Sequence, residues 1–345
     1  MRTWKLGAAV GAVAVSALLA GCVASTGDSD GGSAAGELTT VRFQPNFVPG
    51  GQDSYLYYGL ELGYFEDEGI NLEIIPGVNA QVAIDDVLAG TVDIARTSAF
   101  NIILNASKQR QVVSVGTVWG KSTYSVILPE GEGTDLSDIS GKDLLVPGGS
   151  PNEGLTKLLL SSNGLDPNSF TAVNVNSSAL ISTYLAGEGD GLVGSAPAFL
   201  PATAEGRPSE AILFADNGLN IPDFSYVVSP GYLNGKPEAV AAFLRAAYKS
   251  YQAAMDDPDA AAAAMNKTEP SVPATGYPVA VFEAISEFRC TAEQAGEPYG
   301  PHNAEQWAEA ASKMLEAGLI TTEVDTSTIF TNELFDDGSV DGGTC

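Results

Sequence analysis

The chain has one histidine, His302, and three cysteines, Cys22, Cys290 and Cys345, in 345 residues. So little imidazole and thiol gives no basis for a metal centre or a thiol-based catalytic cluster, and nothing calls for a cofactor. Basic residues are scarce too: 16 Lys and Arg against 43 Asp and Glu give a formal net charge of −27. A surface of that sign repels phosphate backbones and excludes nucleic acid as a partner class. No Gly-x-Ser-x-Gly elbow stands between a strand and a helix, and His-Glu-x-x-His, Cys-x-x-Cys, a Walker loop and an EF-hand register are missing. His302, in Tyr299-Gly-Pro-His302-Asn303, reads as a loop residue just before a helix. Adjacent carboxylates such as Asp85-Asp86 and Asp336-Asp337 read as solvated pairs. An enzyme is therefore not expected.

What is present is core material. The chain is 44% hydrophobic and only 17% charged, with 38 Gly and 19 Pro, a balance that excludes coiled coil, collagen and wholesale disorder. Its length suits two domains or one domain with two lobes.

From residue 38 the pattern alternates strand and helix. Val41 and Phe43 mark a strand, Leu56, Leu60 and Tyr64 recur at helical spacing, and Ile70, Leu72 and Ile74 alternate as in a strand. Ala80, Ala83, Ile84, Val87 and Leu88 form a helical stripe ahead of Val92-Asp93-Ile94-Ala95, and residues 112–115 supply a further apolar strand. Residues 144–146, 155–160, 173–175 and 192–193 continue the βαβ order, which predicts an α/β fold with a mostly parallel sheet. One phrase occurs twice in register: Leu88-Ala-Gly90-Thr-Val-Asp93 and Leu185-Ala-Gly187-Glu-Gly-Asp190, each followed by Ser-Ala at Ser98-Ala99 and Ser195-Ala196. In each, a Gly stops a helix before a strand, and a small polar loop ends that strand, where open α/β sheets hold ligands. Two such halves imply one cleft between them.

The remainder is more helical. Val240, Phe243, Leu244, Ala247, Tyr248 and Tyr251 make an amphipathic stripe after Pro237, and Trp307, Ala311, Met314 and Leu315 make another, closed by Gly318. These helices are expected to pack back on the first lobe, with the chain crossing between lobes near 124–128 and near 226–228. The expected division is 38–126 plus 228–345 for lobe 1 and 127–227 for lobe 2.

Two loops are the candidate binding elements. Gly148-Gly-Ser150-Pro151-Asn152-Glu153 reads as a capping box, with Ser150 as N-cap, Pro151 at N1 and Glu153 at N3. Its free N–H groups suit a polar or anionic ligand group, although capping alone explains the sequence equally well. Residues 43–55 mix rings, glycines and polar side chains: Phe47 can stack on a planar ligand while Gln52 and Asp53 fix its orientation, with Tyr55 beside them. Trp119 after the fourth strand of the first half, Ser98, Ser195 and Asn176 complete the candidate set; a helix-cap role is the alternative for Asn176.

The N-terminus places the protein. Arg2 and Lys5 precede an apolar run over 6–20, too short to span a membrane but suited to a signal peptide. The run ends in Leu19-Ala-Gly-Cys22, which resembles the bacterial lipobox. That resemblance implies cleavage of 1–21, diacylation of Cys22, and a chain held on the outer face of the cell membrane. Residues 22–37, rich in Gly, Ser and Asp from Ser25 onward, read as a flexible tether. In an oxidising compartment the remaining Cys290 and Cys345 suggest a disulfide that pins the C-terminal tail, with two free thiols as the alternative.

The chain as a whole resembles the substrate-binding proteins of ABC importers for nitrate, sulfonates, taurine and thiamine-pyrimidine precursors. The resemblance runs from about Val41 to Asp336. It is carried by the helix-to-strand phrase from Tyr57 through Gly63-Tyr64-Phe65 to Glu68-Gly69-Ile70, by Gly90-Thr-Val-Asp93, by Leu136 to Lys142, and by Phe330-Thr-Asn332-Glu-Leu. It implies a type II periplasmic-binding fold, two Rossmann-like lobes joined by a double crossing. It also implies a small solute held between the lobes, an ABC permease with its ATPase as partner, and a monomer. The pyrimidine-precursor branch carries Trp-x-Pro-Asn and then a His in its opening loop; here Phe47-Val-Pro49-Gly50 and Asp53 stand there. A fungal relative is a pyrimidine synthase that consumes its own His and needs a Cys-rich motif, and this chain has neither at matching positions. The resemblance therefore implies capture of a planar nitrogen heterocycle, with an alkylsulfonate, taurine-like or nitrate-like anion second. A lipid-anchored enzyme or a sensing module is the reading of another class.

Overall fold

The computed structural model describes residues 38–148, 150, 152–272 and 276–345, with the side chain of Ser177 outside the description. The expected signal peptide, Cys22, the expected tether and Pro151 lie outside the described residues. Ten strands form two five-stranded sheets. The first holds β1 (Thr39–Gln44), β2 (Ile70–Ile74), β3 (Ile94–Ser98), β4 (Val113–Thr117) and β10 (Phe224–Val228), in the order β2-β1-β3-β10-β4. The second holds β5 (Tyr124–Pro129), β6 (Asp143–Pro147), β7 (Thr171–Val175), β8 (Gly191–Ser195) and β9 (Ser209–Leu213), in the order β7-β6-β8-β5-β9. In each sheet four strands run in one direction and the fifth, β10 or β5, lies antiparallel between its neighbours.

The two sheets thus have one topology, in which β3 matches β8 and the repeated phrase falls at equivalent places. Asn79 caps the helix before β3 through a hydrogen bond from the Val82 amide (2.9 Å), and Gly90 ends it at φ 71°. Ser98 and Ser195 each stand at the N-cap of the helix that follows their strand.

Helices of the first sheet are α1 (Ser54–Glu61), α2 (Tyr64–Asp67), α3 (Ala80–Ala89) and α4 (Ala99–Ala106). Gly63, left-handed at φ 76°, breaks the expected single helix between α1 and α2. On the second sheet lie α5 (Asn152–Ser162), α6 (Leu180–Leu185) and α7 (Ala196–Thr203). After β10 come α8 (Pro230–Gly235), α9 (Pro237–Asp256), α10 (Pro258–Thr268), α11 (Tyr277–Ser286), α12 (Ala304–Glu316) and α13 (Glu333–Asp336). The α9 stripe is wholly buried against the first sheet, with Phe43 stacked on Phe243 at 5.5 Å. In α12 Trp307, Ala311 and Met314 are buried, but Leu315 falls on the exposed side of the helix. Among the described residues no helix is long and apolar enough to cross a membrane.

The crossings differ from the sequence expectation. The segments 124–128 and 226–228 are strands inside sheets, β5 of the second and β10 of the first. The chain passes over just before each of them, at 118–123 and 214–223, because each sheet takes its antiparallel strand directly from the chain arriving from the other sheet. Cys290 and Cys345 are joined in a disulfide with Cα atoms 5.8 Å apart. It fixes the C-terminal residues beside Pro298, which bridges to Thr344.

Candidate functional site

The carboxyl ends of β1 and β3 meet the start of β10 and the first crossing, and polar side chains collect there under cover. Gly51 lets the loop after β1 approach α11 closely, since a Cβ there would lie 2.7 Å from the Pro278 backbone. That approach lays Asp53 at the start of α1 with 1% of its surface exposed. Arg96, at the middle of β3, is fully buried and brings Nη2 to 2.7 Å from Asp53 Oδ1. The other Asp53 oxygen accepts from the Gly50 amide at 2.9 Å. Burial pushes the Asp53 carboxyl above its usual range, against the pull of Arg96 and the Gly50 N–H. Burial acts against the Arg96 charge as well, but Asp53, Tyr55 and Tyr226 hold the guanidinium above its ordinary value.

The guanidinium lies over the Phe224 ring at 4.4 Å and 5.7 Å from the Trp119 ring. Trp119 stacks on Phe224 at 4.2 Å. Arg96 and Asp53 are joined by proximity and charge, yet no guanidinium nitrogen meets hydrogen-bond geometry with a described group. The same holds for Gln44 Oε1, Asn46 Oδ1, Ser54 Oγ, Thr97 Oγ1, Trp119 Nε1 and Ser225 Oγ, all buried in the first sheet or its loops. Each unpaired buried group costs roughly 1–3 kcal/mol, and these fall on the first sheet and its loops, several of them toward the carboxyl ends of its parallel strands, the end at which open α/β sheets hold ligands.

The sequence candidates separate around this cluster. Asp53 and Trp119 are in it, and Gln52 is half-buried on the same loop. Tyr55 stands behind it in the core, its hydroxyl 2.5 Å from that of Tyr226 and its ring against Tyr251. Phe47 is 40% exposed and pairs with no other described ring. Ser98 is buried and accepts from Asn101 Nδ2 at 2.9 Å and from the Tyr124 hydroxyl at 3.5 Å.

Second-sheet candidates have other employment. Asn152, 5% exposed, donates to the Val193 carbonyl at 2.8 Å and so ties α5 to β8. Ser150 Oγ accepts from the Asn152 amide at 3.4 Å, and Glu153 pairs with Lys157 at 2.7 Å. Asn176 is exposed, and its Oδ1 accepts from the Ser178 amide and hydroxyl in a turn, which is the capping role. Ser195 is half-buried and pairs across strands with Tyr124.

Arg96 is the residue sequence reasoning missed. Its signal was a lone cation inside Ile94-Ala-Arg96-Thr-Ser98, a strand otherwise suited to burial. His302 carries no ligand-binding signal: Nδ1–H donates to Asn332 Oδ1 at 2.9 Å, Nε2 accepts from Ser114 at 2.6 Å, and the ring stacks on Phe330. Burial lowers its pKa to about 4, so the ring is neutral. No group of three or more His, Cys, Asp or Glu side chains is placed to hold a metal ion among the described residues.

A family profile described as "NMT1/THI5 like" matches residues 52–261, more than half of the chain. The chain belongs to the NMT1/THI5-like family. The matched span includes Asp53, Arg96, Trp119 and Phe224. Among curated proteins, this family member is 26% identical over 300 residues to the formylaminopyrimidine-binding protein of Halalkalibacterium halodurans, covering 85% of this chain and 88% of that one. Among solved structures it shares its fold with the alkanesulfonate-binding protein SsuA of Xanthomonas axonopodis pv. citri bound to MOPS. There the TM-score is 0.66 at 14% identity, over 86% of this chain and 99% of that one. A Candida albicans protein described as having the generic periplasmic binding protein fold aligns with TM-score 0.62 at 13% identity, over 86% and 97%. The two-lobed α/β architecture is therefore that of periplasmic binding proteins, and the Halalkalibacterium relative and the Xanthomonas neighbour are both named as binding proteins.

Proposed function

We propose that this protein captures a small solute outside the cell, in the cleft between its two lobes, and delivers it unchanged to the permease of an ABC importer. The observation that carries this reading is the buried, unpaired polar cluster around Asp53, Arg96 and Trp119 at the ligand end of the first sheet. The names of the curated relative and the solved neighbours agree with it. Ligand binding favours the closed arrangement because only there do both lobes contact the guest.

The cluster also bears on ligand chemistry. A sulfonate or nitrate offers only acceptors, so it would use the Arg96 N–H groups and meet repulsion from Asp53. An amino-substituted heterocycle offers donors beside acceptors, matching Asp53 Oδ1, Gln44 Oε1 and Asn46 Oδ1 as well as Arg96. Its flat ring also suits the Trp119–Phe224 stack. A planar nitrogen heterocycle of the formylaminopyrimidine kind is thus the preferred guest, and the unpartnered donors of Arg96 keep an alkylsulfonate as the second reading. In this account Cys22 carries the lipid anchor and residues 22–37 are the tether that lets the lobes reach the permease.

Native mass spectrometry of the purified protein, followed by a thermal-shift screen of formylaminopyrimidine, taurine, an alkylsulfonate and nitrate, tests the reading. A true ligand at 100 times its Kd stabilises the fold by about 2.7 kcal/mol. Turnover of the bound molecule, or no response to any solute, contradicts it.

A further inference from the structure

We infer that Asp223 is a guest-contacting carboxylate and that the guest it receives carries a positive charge on nitrogen. This deepens the capture reading above and rests on it. Among the described residues three charged side chains are buried: Asp53, Arg96 and Asp223. Arg96 and Asp53 face each other at 2.7 Å. Asp223, 3% exposed, has no cation within salt-bridge distance among the described residues. The interior thus holds one carboxylate more than its cations match, and a buried charge without a partner is costly.

Asp223 stands where the ligand ends of the two sheets meet. β10 begins one residue later, with Phe224 paired to Ser98, the last residue of β3. Asp223 Oδ2 accepts from the Thr123 amide at 3.2 Å and from the Thr123 hydroxyl. Tyr124, next in the chain, pairs with Ser195 at the end of β8. The Tyr124 hydroxyl reaches Ser98 at 3.5 Å, so the carboxyl ends of β3 and β8 come together at this point. Both Thr123 bonds fall on Oδ2, and Oδ1 has no partner among the described residues. A carboxylate oxygen in that place accepts an N–H, and binds a charged one most strongly.

An anion finds less at the same place. Helix N-termini are the usual anion seats, but the first amide of α4 donates to the Pro222 carbonyl at 3.1 Å and that of α7 to the Thr123 carbonyl at 3.0 Å. The second residue of α7 is Pro197, which has no N–H. Arg96, the one buried cation among the described residues, already faces Asp53 and lies over the Phe224 ring at 4.4 Å. Burial puts the Asp223 carboxyl at about 6, although the Thr123 hydrogen bonds and the Arg96 charge both favour its ionised form. Arg96 and Tyr124 are the titratable groups that bear on it. At neutral pH the carboxylate is therefore mostly ionised, and a cation in the cleft supplies the partner that the protein itself does not.

Calorimetric titration of three probes tests this: 4-aminopyridine, which is protonated at neutral pH; 4-aminopyrimidine, which has the same outline and is uncharged there; and ethanesulfonate. At pH 7 the wild-type protein should bind 4-aminopyridine at least tenfold more tightly than 4-aminopyrimidine. Asp223→Asn, similar in shape and without the charge, should remove that preference. In the wild type the affinity for 4-aminopyridine should fall about tenfold from pH 7 to pH 5, because the probe stays protonated while Asp223 takes up a proton. That profile needs no variant and decides the matter even where Asp223→Asn does not fold. Equal affinity for the two rings, a pH-independent affinity for 4-aminopyridine, or an Asp223→Asn protein that keeps the preference would overturn the contact and leave capture standing. Tight binding of ethanesulfonate alone would do the same. Binding of none of the three would overturn the contact and count against capture of these solutes as well.

Discussion

The two lobes share a topology and differ in what their buried polar groups are doing. Among the described residues, the buried side-chain atoms without a partner lie in the first lobe or on the first crossing, and the stretch 124–213 contributes none. In the second lobe Asn152, Asn176, Ser125 and Arg207 all spend their polar atoms on nearby backbone. A surface whose hydrogen bonds are already made cannot gain much from a guest, whereas one with unmet donors and acceptors can. On the proposed reading the first lobe receives the guest and the second covers it, and the sequence repeat that links the lobes does not extend to the unpaired groups of the first.

The sharpest way to break the comparison is at Arg96. Arg96→Leu strands the buried Asp53 carboxylate and should cost about 3–5 kcal/mol in urea unfolding. Asp53→Asn combined with Arg96→Gln should recover much of that stability without recovering solute binding. An Arg96→Leu protein of ordinary stability would mean that the pair is not truly buried.

Titration gives a second contrast. Burial raises the Asp223 pKa from 3.8 to about 6, with Thr123 hydrogen bonds and Arg96 opposing the shift, so its ionisation costs stability as pH rises through that window. His302 works the other way: its pKa falls from 6.5 to about 4, and the stability of the neutral buried ring is lost as pH drops between those values. Each effect amounts to roughly 3 kcal/mol, and in the wild type they largely offset each other. Asp223→Asn should therefore gain stability over wild type as pH rises from 4 to 7, reaching about 3 kcal/mol. The penalty of His302→Gln should shrink by a similar amount as pH falls to 4. Chemical denaturation at a series of pH values checks both; parallel curves for variant and wild type would show that the groups titrate normally.

The smaller effects belong to the covering lobe. Asn152→Ala leaves the Val193 carbonyl without its partner and should cost about 1–3 kcal/mol. Asn176→Ala removes only an exposed turn bond and should cost ~1 kcal/mol or less. Neither should weaken solute binding more than a few-fold in calorimetry, and a large loss from either would place the guest on the second lobe.

How much of this could be read beforehand follows the range of each interaction. Strand and helix order was legible because apolar period and Gly stops such as Gly90 and Gly187 act within a few residues. The crossings were misplaced because β5 and β10 are each the first strand after the chain changes sheet and pair wholly inside the new sheet, which no local pattern records. Asp53 and Trp119 were legible as loop residues after strands. Arg96 was not, since its meaning depends on a carboxylate from a different βα loop. Asn176 shows the converse problem: a cap and a ligand contact ask for the same side chain in the same kind of loop, and its bonds from Ser178 are visible only in the structure.

The central claim is that the first lobe supplies the binding energy for a solute which the second only encloses. Calorimetric titration of one solute, the best responder in the thermal-shift screen, into wild type, the Asp53→Asn/Arg96→Gln variant and the Asn152→Ala/Asn176→Ala variant tests it directly. The account predicts a loss of at least about 100-fold, roughly 2.7 kcal/mol, in the first variant alone. Equal affinity in that variant and wild type, or the larger loss in the second-lobe variant, would contradict it.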